Sequence, residues 1–344
     1  MKIVLPGGSG QVGTVLARGL LAAGHEVVVL RRTPAAAAWP VVQWDGRTLG
    51  EWADHIDGAD AVINLAGRNV NCRYNAENRR QIMQSRVDST RAVGQAIARS
   101  AHPPRVWLQT ATATIYAHRF DADNDEASGM IGGTEPDAPA DWRFSIEVAK
   151  AWEAAAQQAA TPRTRKVIMR MAMVMSADRG GVFDAFLGLV RHGLGGRQAD
   201  GRHYMSWIHE ADLIGVVLRL IEDEKFAGVV NVTAPNPIPN EQFMRELRAA
   251  WGARFGLPAA KWMLEIGAVL IGTETELLLK SRRVTAGILV QNGFEFRFPR
   301  WAEAAQDLCA RWRNVVIPPL PSACTAPRSA AAQTAARLRS GSAP

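Results

Sequence analysis

The chain has 344 residues, 47% of them hydrophobic, a formal charge of +7 and three cysteines. That apolar content supplies a sizeable core for two structural units at roughly 100–200 residues per domain. Cys72, Cys309 and Cys324 form no CxxC pair, which excludes a disulfide framework or a zinc cluster, and the dispersed positive charge, with short runs only at 79–80 and 280–283, excludes a nucleic-acid reader. No apolar run approaches the roughly 18 residues that span a bilayer. The first residues enter a strand and a glycine loop without an apolar leader, so the expected setting is cytoplasmic, with no membrane partner.

The first predicted strand, Ile3-Val4-Leu5, leads into Gly7-Gly8-Ser9-Gly10-Gln11-Val12-Gly13 and then a helix over 12–23 with one apolar face. Strand, glycine bend and helix in that order are what a dinucleotide-binding turn requires. A bend without Cβ atoms lets the backbone close on a pyrophosphate, and the N–H groups that open the helix point at its charge. The glycine spacing is GxxGxxG, and Gly7-Gly8-Ser9-Gly10-Gln11 lacks the second glycine of a hydrolase GxSxG elbow.

The second strand, over 27–30, ends in Arg31-Arg32, with no acid before Asp45. An acid there would accept a ribose 2′-hydroxyl, whereas paired guanidiniums neutralise a 2′-phosphate. The expected cofactor is therefore NADP(H).

Further strands are predicted at 41–44, 61–65, 106–110 and 167–171, with helices near 78–100 and 144–159. This alternation implies a Rossmann-type α/β fold, a doubly wound parallel sheet, over residues 1–175. Residues 176–316 are less regular and read as a smaller α+β substrate lobe, with one strand near 229–232 that is able to return to the main sheet. Residues 317–344 are rich in Pro, Ala, Ser and Arg without a periodic core and read as a disordered tail.

Asn64-Leu65-Ala66-Gly67, Arg86-Val87-Asp88-Ser89-Thr90, Thr110-Ala111-Thr112-Ala113 and Trp207-Ile208-His209-Glu210-Ala211-Asp212-Leu213 follow one another in this order. With Lys150-Ala151-Trp152-Glu153, Glu276-Leu277-Leu278-Leu279 and Gly293-Phe294-Glu295-Phe296, the chain resembles the extended short-chain dehydrogenase/reductase superfamily. Within it, the chain is most similar to the atypical epimerase-family subgroup of NADP-binding proteins, which has its own C-terminal domain. The resemblance runs from residue 1 to about 316.

That resemblance implies that 64–67, Thr110 and Ala111 pass over the cofactor and that Arg170 borders the nicotinamide. It also implies a hydride-transfer site of an asparagine, a serine or threonine, and a tyrosine with a lysine four residues on. Such a lysine lowers the tyrosine pKa for proton exchange near neutrality. Thr112 matches the serine/threonine position, but Arg86 stands at the asparagine. No Tyr-x-x-x-Lys exists: the residue four before Lys150 is Ile146, and alignment on Glu153 instead puts Ser145 and Ala149 at those two positions.

Of the three tyrosines, Tyr74, Tyr116 and Tyr204, the first choice for a substitute acid is Tyr116, four residues after Thr112. Arg86 is a candidate to hold a substrate anion or a cofactor phosphate, with a structural helix arginine as the equal alternative. The loop 193–196, with Arg191, Arg197 and Arg202, is expected by resemblance to border the substrate pocket. His209 reads as a hydrogen-bonded interface residue, Asp212 as a helix cap, and Trp207, Trp262 and Trp301 as packing. The expected function is an NADP(H)-dependent oxidoreductase or epimerase-like enzyme acting on a small, anionic carbonyl or hydroxyl compound. The alternative is a catalytically inactive NADP(H)-binding redox sensor or regulator. A two-fold homodimer through the helices carrying Arg86 and Lys150 is a candidate assembly.

Overall fold

Strand β1 (Lys2–Pro6) is apolar on both faces: Ile3, Val4 and Leu5 are all fully buried. A strand of that kind belongs in the middle of a parallel sheet covered on both sides. In the computed structural model, which describes residues 1–135, 139–265, 274 and 276–314, β1 lies between β2 (Glu26–Arg31) and β4 (Ala61–Asn64). Its Ile3 pairs with Val27 on one side and Ala61 on the other. With β3 (Val41–Gln43), β5 (Val106–Thr112), β6 (Arg165–Met171) and β7 (Gly228–Val232), these strands form a seven-stranded sheet in the order β7-β6-β5-β4-β1-β2-β3. Every pairing in it is parallel. The fold is a Rossmann-type α/β sheet.

Alternate side chains along each strand feed two cores. Ile3 and Leu5 pack with helices α1 (Gln11–Ala22) and α5 (Glu210–Glu222), while Val4 faces α2 (Ala76–Arg99) and α3 (Ala140–Gln157) with Trp52 and Trp107. Strand order reverses between β1 and β4, so their carboxyl ends open a crevice at the switch point.

Residues 177–313 do not form a separate body. Met1–Arg313 is one compact unit, and α5 and β7 pack into the sheet domain itself. Helices α4 (Val182–Arg191), α6 (Asn240–Trp251) and Trp301–Asn314 share a second core with Met205 and Trp207. Within it Trp301 stacks on Phe243 with ring centroids 4.0 Å apart. Trp262, expected to pack, is instead 62% exposed. The tail expected at 317–344, with Cys324, lies outside the described residues. Among the described residues no helix is long and apolar enough to cross a membrane, and no group of His, Cys, Asp and Glu could hold a metal ion.

Candidate active site

The glycine bend is built by backbone contact. Gly7 has φ +75, in the region that favours glycine, and a Cβ there would lie 2.5 Å from the Ala66 Cα. A Cβ on Gly13 would lie 2.4 Å from the Gly8 Cα, which packs the helix start tightly on the bend. Gly10 differs: a Cβ there would meet no atom within 4 Å, so its bareness serves whatever approaches from outside. Gly10 also caps α1 without a side-chain hydrogen bond, leaving the first-turn N–H groups of Gln11, Val12 and Gly13 for an anion. The Gln11 side-chain Nε2 is buried with no hydrogen-bond partner, and a Cβ on Gly181 would lie 1.8 Å from it. An uncapped helix start, a bare Gly10 and an orphaned amide are what a pyrophosphate cradle needs, and these residues fit one.

At the end of β2, Gly7 N–H donates to the Leu30 carbonyl at 2.9 Å, which brings Arg31 beside the bend. Arg31 is half-buried and its Nε is buried without a partner, whereas Arg32 is exposed. A guanidinium with a buried, unmet N–H suits a 2′-phosphate.

Across the switch point, Asn64 is fully buried and works inside the protein. Its amide donates to Gln109 Oε1 at 2.9 Å and its Oδ1 accepts the Ala66 N–H at 3.1 Å. Asn64 therefore shapes the turn, and Leu65, Ala66 and Gly67 form the wall that touches Gly7. At the end of β5, Thr110 has a buried hydroxyl without a partner and Ala111 packs in the core.

Beyond this wall lies a cavity of about 110 Å³ lined by Arg86, Thr112, Tyr74, Ser145 and Trp152 among others. Thr112 ends β5 and its hydroxyl accepts the Thr114 N–H at 3.1 Å. Arg86, from the middle of α2, threads past Gly67, where a Cβ would lie 3.2 Å from the guanidinium carbon. Its Nη1 donates to the Arg68 and Ile82 carbonyls at 3.0 and 3.2 Å, and the guanidinium lies over Trp152 at 5.0 Å. Among the described residues no carboxylate pairs with it, and burial pushes its pKa down to about 10. The site thus holds a cation in want of an anion.

The family of this fold now follows from comparison. The NAD dependent epimerase/dehydratase family matches residues 3–233, and a domain of unknown function, DUF1731, matches residues 259–308. Human epimerase family protein SDR39U1 is 30% identical over 313 residues, covering 90% of this chain and all of that protein. The chain belongs to the NAD dependent epimerase/dehydratase family. The crystal structure of human SDR39U1 (isoform 2) with NADPH matches at TM-score 0.79 and 29% identity, covering 90% of this chain and 99% of that one. A nucleoside-diphosphate sugar epimerase from Corynebacterium glutamicum matches at TM-score 0.69 and 27% identity, over 90% of this chain and 58% of that one. A UDP-N-acetylglucosamine 4-epimerase from Bacillus cereus, at 14% identity and TM-score 0.68, shares the fold.

Against the superfamily's tyrosine and lysine, the structure corrects two expectations. Tyr116 is 2% exposed and absent from the cavity lining. Its hydroxyl donates to Asn231 Oδ1 at 3.0 Å and accepts from Arg170 Nη1 at 2.9 Å, and burial raises its pKa. A hydroxyl enclosed in this way is not a proton donor for substrate. Arg170, expected at the nicotinamide, is engaged within the protein: it forms a two-pronged pair with Glu153, both contacts 2.8 Å. Although burial opposes its charge, Glu153 holds the guanidinium protonated.

Lys150 is exposed, its Nζ 3.5 Å from the Gly132 carbonyl, and stays out of the site. The glycine loop at 193–196 packs against residues 256–258 and contributes nothing to the cavity lining, nor do Arg191, Arg197 and Arg202. His209 is fully buried, bonded to Asp307 at 3.1 Å, and its own Nδ1 caps α5 by accepting the Ala211 N–H at 3.0 Å. Asp212, expected to be that cap, instead accepts the Arg297 and Phe298 N–H groups at 2.7 and 3.0 Å.

What the sequence reading did not foresee is that Tyr74, from the loop before α2, and Ser145, from α3, line the cavity, and that Glu276 stands behind Ser145 with Lys280 and Arg282 of the DUF1731 segment beside it. Tyr74 is buried and its pKa is pushed up to about 12 by burial and by the Glu276 charge, so it is a hydrogen-bonding group and a poor acid. One signal was present: Glu276 and Lys280 stand four apart in an otherwise apolar stretch, the spacing of a same-face pair.

Proposed function

We propose that this protein binds NADP(H) and carries out hydride transfer on a small anionic carbonyl or hydroxyl compound, with a proton donor other than a Tyr–Lys pair. Arg86 carries the reading: a guanidinium with no carboxylate partner among the described residues shares a small cavity with the Thr112 hydroxyl, directly past the turn at Gly67. When bound, NADP(H) supplies or accepts the hydride. The N–H groups of Gln11, Val12 and Gly13 and the bare Gly10 would hold its pyrophosphate, and Arg31 with Arg32 its 2′-phosphate. The family and the NADPH-bound human relative support this assignment.

On the substrate side, Arg86 anchors a carboxylate or phosphate by charge-assisted hydrogen bonds. Thr112 orients the oxygen that is reduced or oxidised. The apolar side chains of Val70, Phe144, Val148 and Trp152 exclude water from the reacting carbon.

Two measurements on the purified chain test this. Fluorescence titration should give NADPH an affinity at least about tenfold above NADH, the size of one charge-assisted contact. NADPH absorbance should then fall with at least one of pyruvate, acetoacetate and glyceraldehyde 3-phosphate, each a small anion carrying a carbonyl. Equal affinities would overturn the cofactor preference. Tight NADPH binding with no consumption across these probes and neutral carbonyls would replace the enzyme with a dinucleotide sensor.

A further inference from the structure

The Ser145 side chain lines the same cavity as Arg86 and Thr112 and occupies the α3 position eight residues before Glu153, where alignment on Glu153 places the superfamily's tyrosine. Behind it, the Ser145 hydroxyl lies 2.5 Å from Glu276 Oε2. Glu276 is 2% exposed, and its other oxygen, Oε1, has no hydrogen-bond partner and faces Lys280 Nζ at 3.8 Å. One oxygen of this buried carboxylate is thus set against an ammonium and the other joins it to the reaction cavity through the Ser145 hydroxyl.

We propose that Ser145 exchanges the proton with the substrate oxygen and that Glu276, acting through Ser145, is its proton reservoir. This rests on the hydride-transfer reading above. In reduction, the carbonyl carbon gains a C–H bond from the incoming hydride and the π pair moves to oxygen. That oxygen takes the Ser145 Oγ proton, and Oγ takes the proton of the Glu276 carboxyl. The carboxylate left behind is balanced by the Lys280 ammonium and regains a proton from water. In oxidation each transfer runs backwards.

The charged and titratable groups around Glu276 allow this. Burial raises its pKa above the ordinary carboxylate range, while the Ser145 hydrogen bond and the charges of Lys280 and Arg282 pull it down and Glu274 pushes it up. Lys280, also buried, is brought down to about 8 and donates to the Thr114 carbonyl at 2.8 Å. Arg282 donates to the Glu276 carbonyl and to Thr114 Oγ1, both at 3.2 Å. Tyr74 and Arg86 face the same space from the α2 side, and His118 and Glu135 lie toward Lys280.

The test uses the full chain labelled with ¹³C at glutamate carboxyls, as wild type, Ser145→Ala, Ser145→Thr and Glu276→Gln. In the wild type without ligand, the Glu276 carboxyl should titrate above the ordinary midpoint of about 4.3, as should that of half-buried Glu126, which lies away from Ser145 and should not respond to its substitution. The Glu276 midpoint should rise further in Ser145→Ala, which removes a hydrogen bond to the charged form. Glu276→Gln should delete the resonance, and if that variant does not fold, the Ser145→Ala shift assigns it. An ordinary midpoint, or one indifferent to Ser145→Ala, overturns the relay whether or not a substrate has been found.

With NADPH and a reducible anionic carbonyl, Ser145→Ala should lower kcat about 100-fold, the usual scale of a proton-transfer group, with the NADPH Kd within twofold. Ser145→Thr should restore most of it. Glu276→Gln should remove the fall in reduction rate that wild type shows as pH rises through the Glu276 midpoint. Active wild type with an equally active Ser145→Ala overturns the relay alone. Wild type that binds NADPH and reduces nothing overturns the hydride-transfer reading beneath it.

Discussion

The glycine bend and the cavity beside it are neighbours built on opposite plans. The bend comes from seven consecutive residues and works through backbone: at Gly7 and Gly13 neighbouring backbone leaves no room for a Cβ, and the functional groups are N–H bonds. The cavity comes from α2, the end of β5, α3 and a segment near residue 280, and works through side chains. A backbone site tolerates no added atom but asks little of distant parts of the chain. A side-chain site depends on every element that carries a member of it, here including the C-terminal segment.

Substitutions that separate the two regions sharpen this contrast, and the largest effect belongs to the bend. Gly13→Ala puts a Cβ 2.4 Å from the Gly8 Cα, so the helix start must shift. NADPH affinity should fall more than about 100-fold, an overpacking loss near 3 kcal/mol. Gly10→Ala, which meets nothing in the protein, should leave the melting temperature unchanged while still weakening NADPH in the same titration. If Gly10→Ala binds normally, the cradle is not where we place it.

Next is Arg86→Met, which keeps the length and packing over Trp152 but removes the charge. KM for an anionic carbonyl should rise about 30- to 100-fold, or about 2–3 kcal/mol for a lost charged hydrogen bond, with NADPH Kd within threefold. A change confined to NADPH would move Arg86 from the cavity to the bend.

The cavity, unlike the bend, needs the C-terminal elements held in place, and His209 links α5 to helix Trp301–Asn314. Burial brings both His209 and His203 down to about 4. For His209 the cause is concrete, since a protonated Nδ1 would confront the Ala211 N–H donor. A lowered histidine pKa contributes stability above the unfolded value of about 6.5 and loses it as pH falls toward the folded value. In urea unfolding the histidine contribution should therefore be flat above pH 7 and should lower stability below about 6.5, by about 2 kcal/mol per histidine at pH 5. His209→Asn, which retains a capping oxygen, should remove roughly half of that pH dependence.

Smaller again is Arg31→Ala, expected to weaken NADPH about tenfold and NADH less than twofold in parallel titrations. The smallest is Tyr116→Phe. Its hydroxyl serves Asn231 and Arg170 away from the cavity, so stability should drop by about 1 kcal/mol while kcat stays within threefold. A Tyr116→Phe enzyme that loses turnover would return the proton donor to Tyr116.

From the order of residues alone came the parallel α/β fold, the glycine bend, the arginines after β2 and the positions of Arg86 and Thr112. All of these are local patterns: an apolar run, a bare turn, a helix start, a residue at a strand end. Periodicity and turn chemistry are properties of adjacent residues and can be read without coordinates. The tertiary structure alone decided which hydroxyl reaches the cavity. Tyr116 is closer to Thr112 in sequence but is turned inward to Arg170, whereas Ser145 meets Glu276, 131 positions away. No spacing encodes that meeting, because it exists only once the C-terminal segment packs over the sheet's carboxyl edge and buries a carboxyl that water would otherwise have kept apart from it.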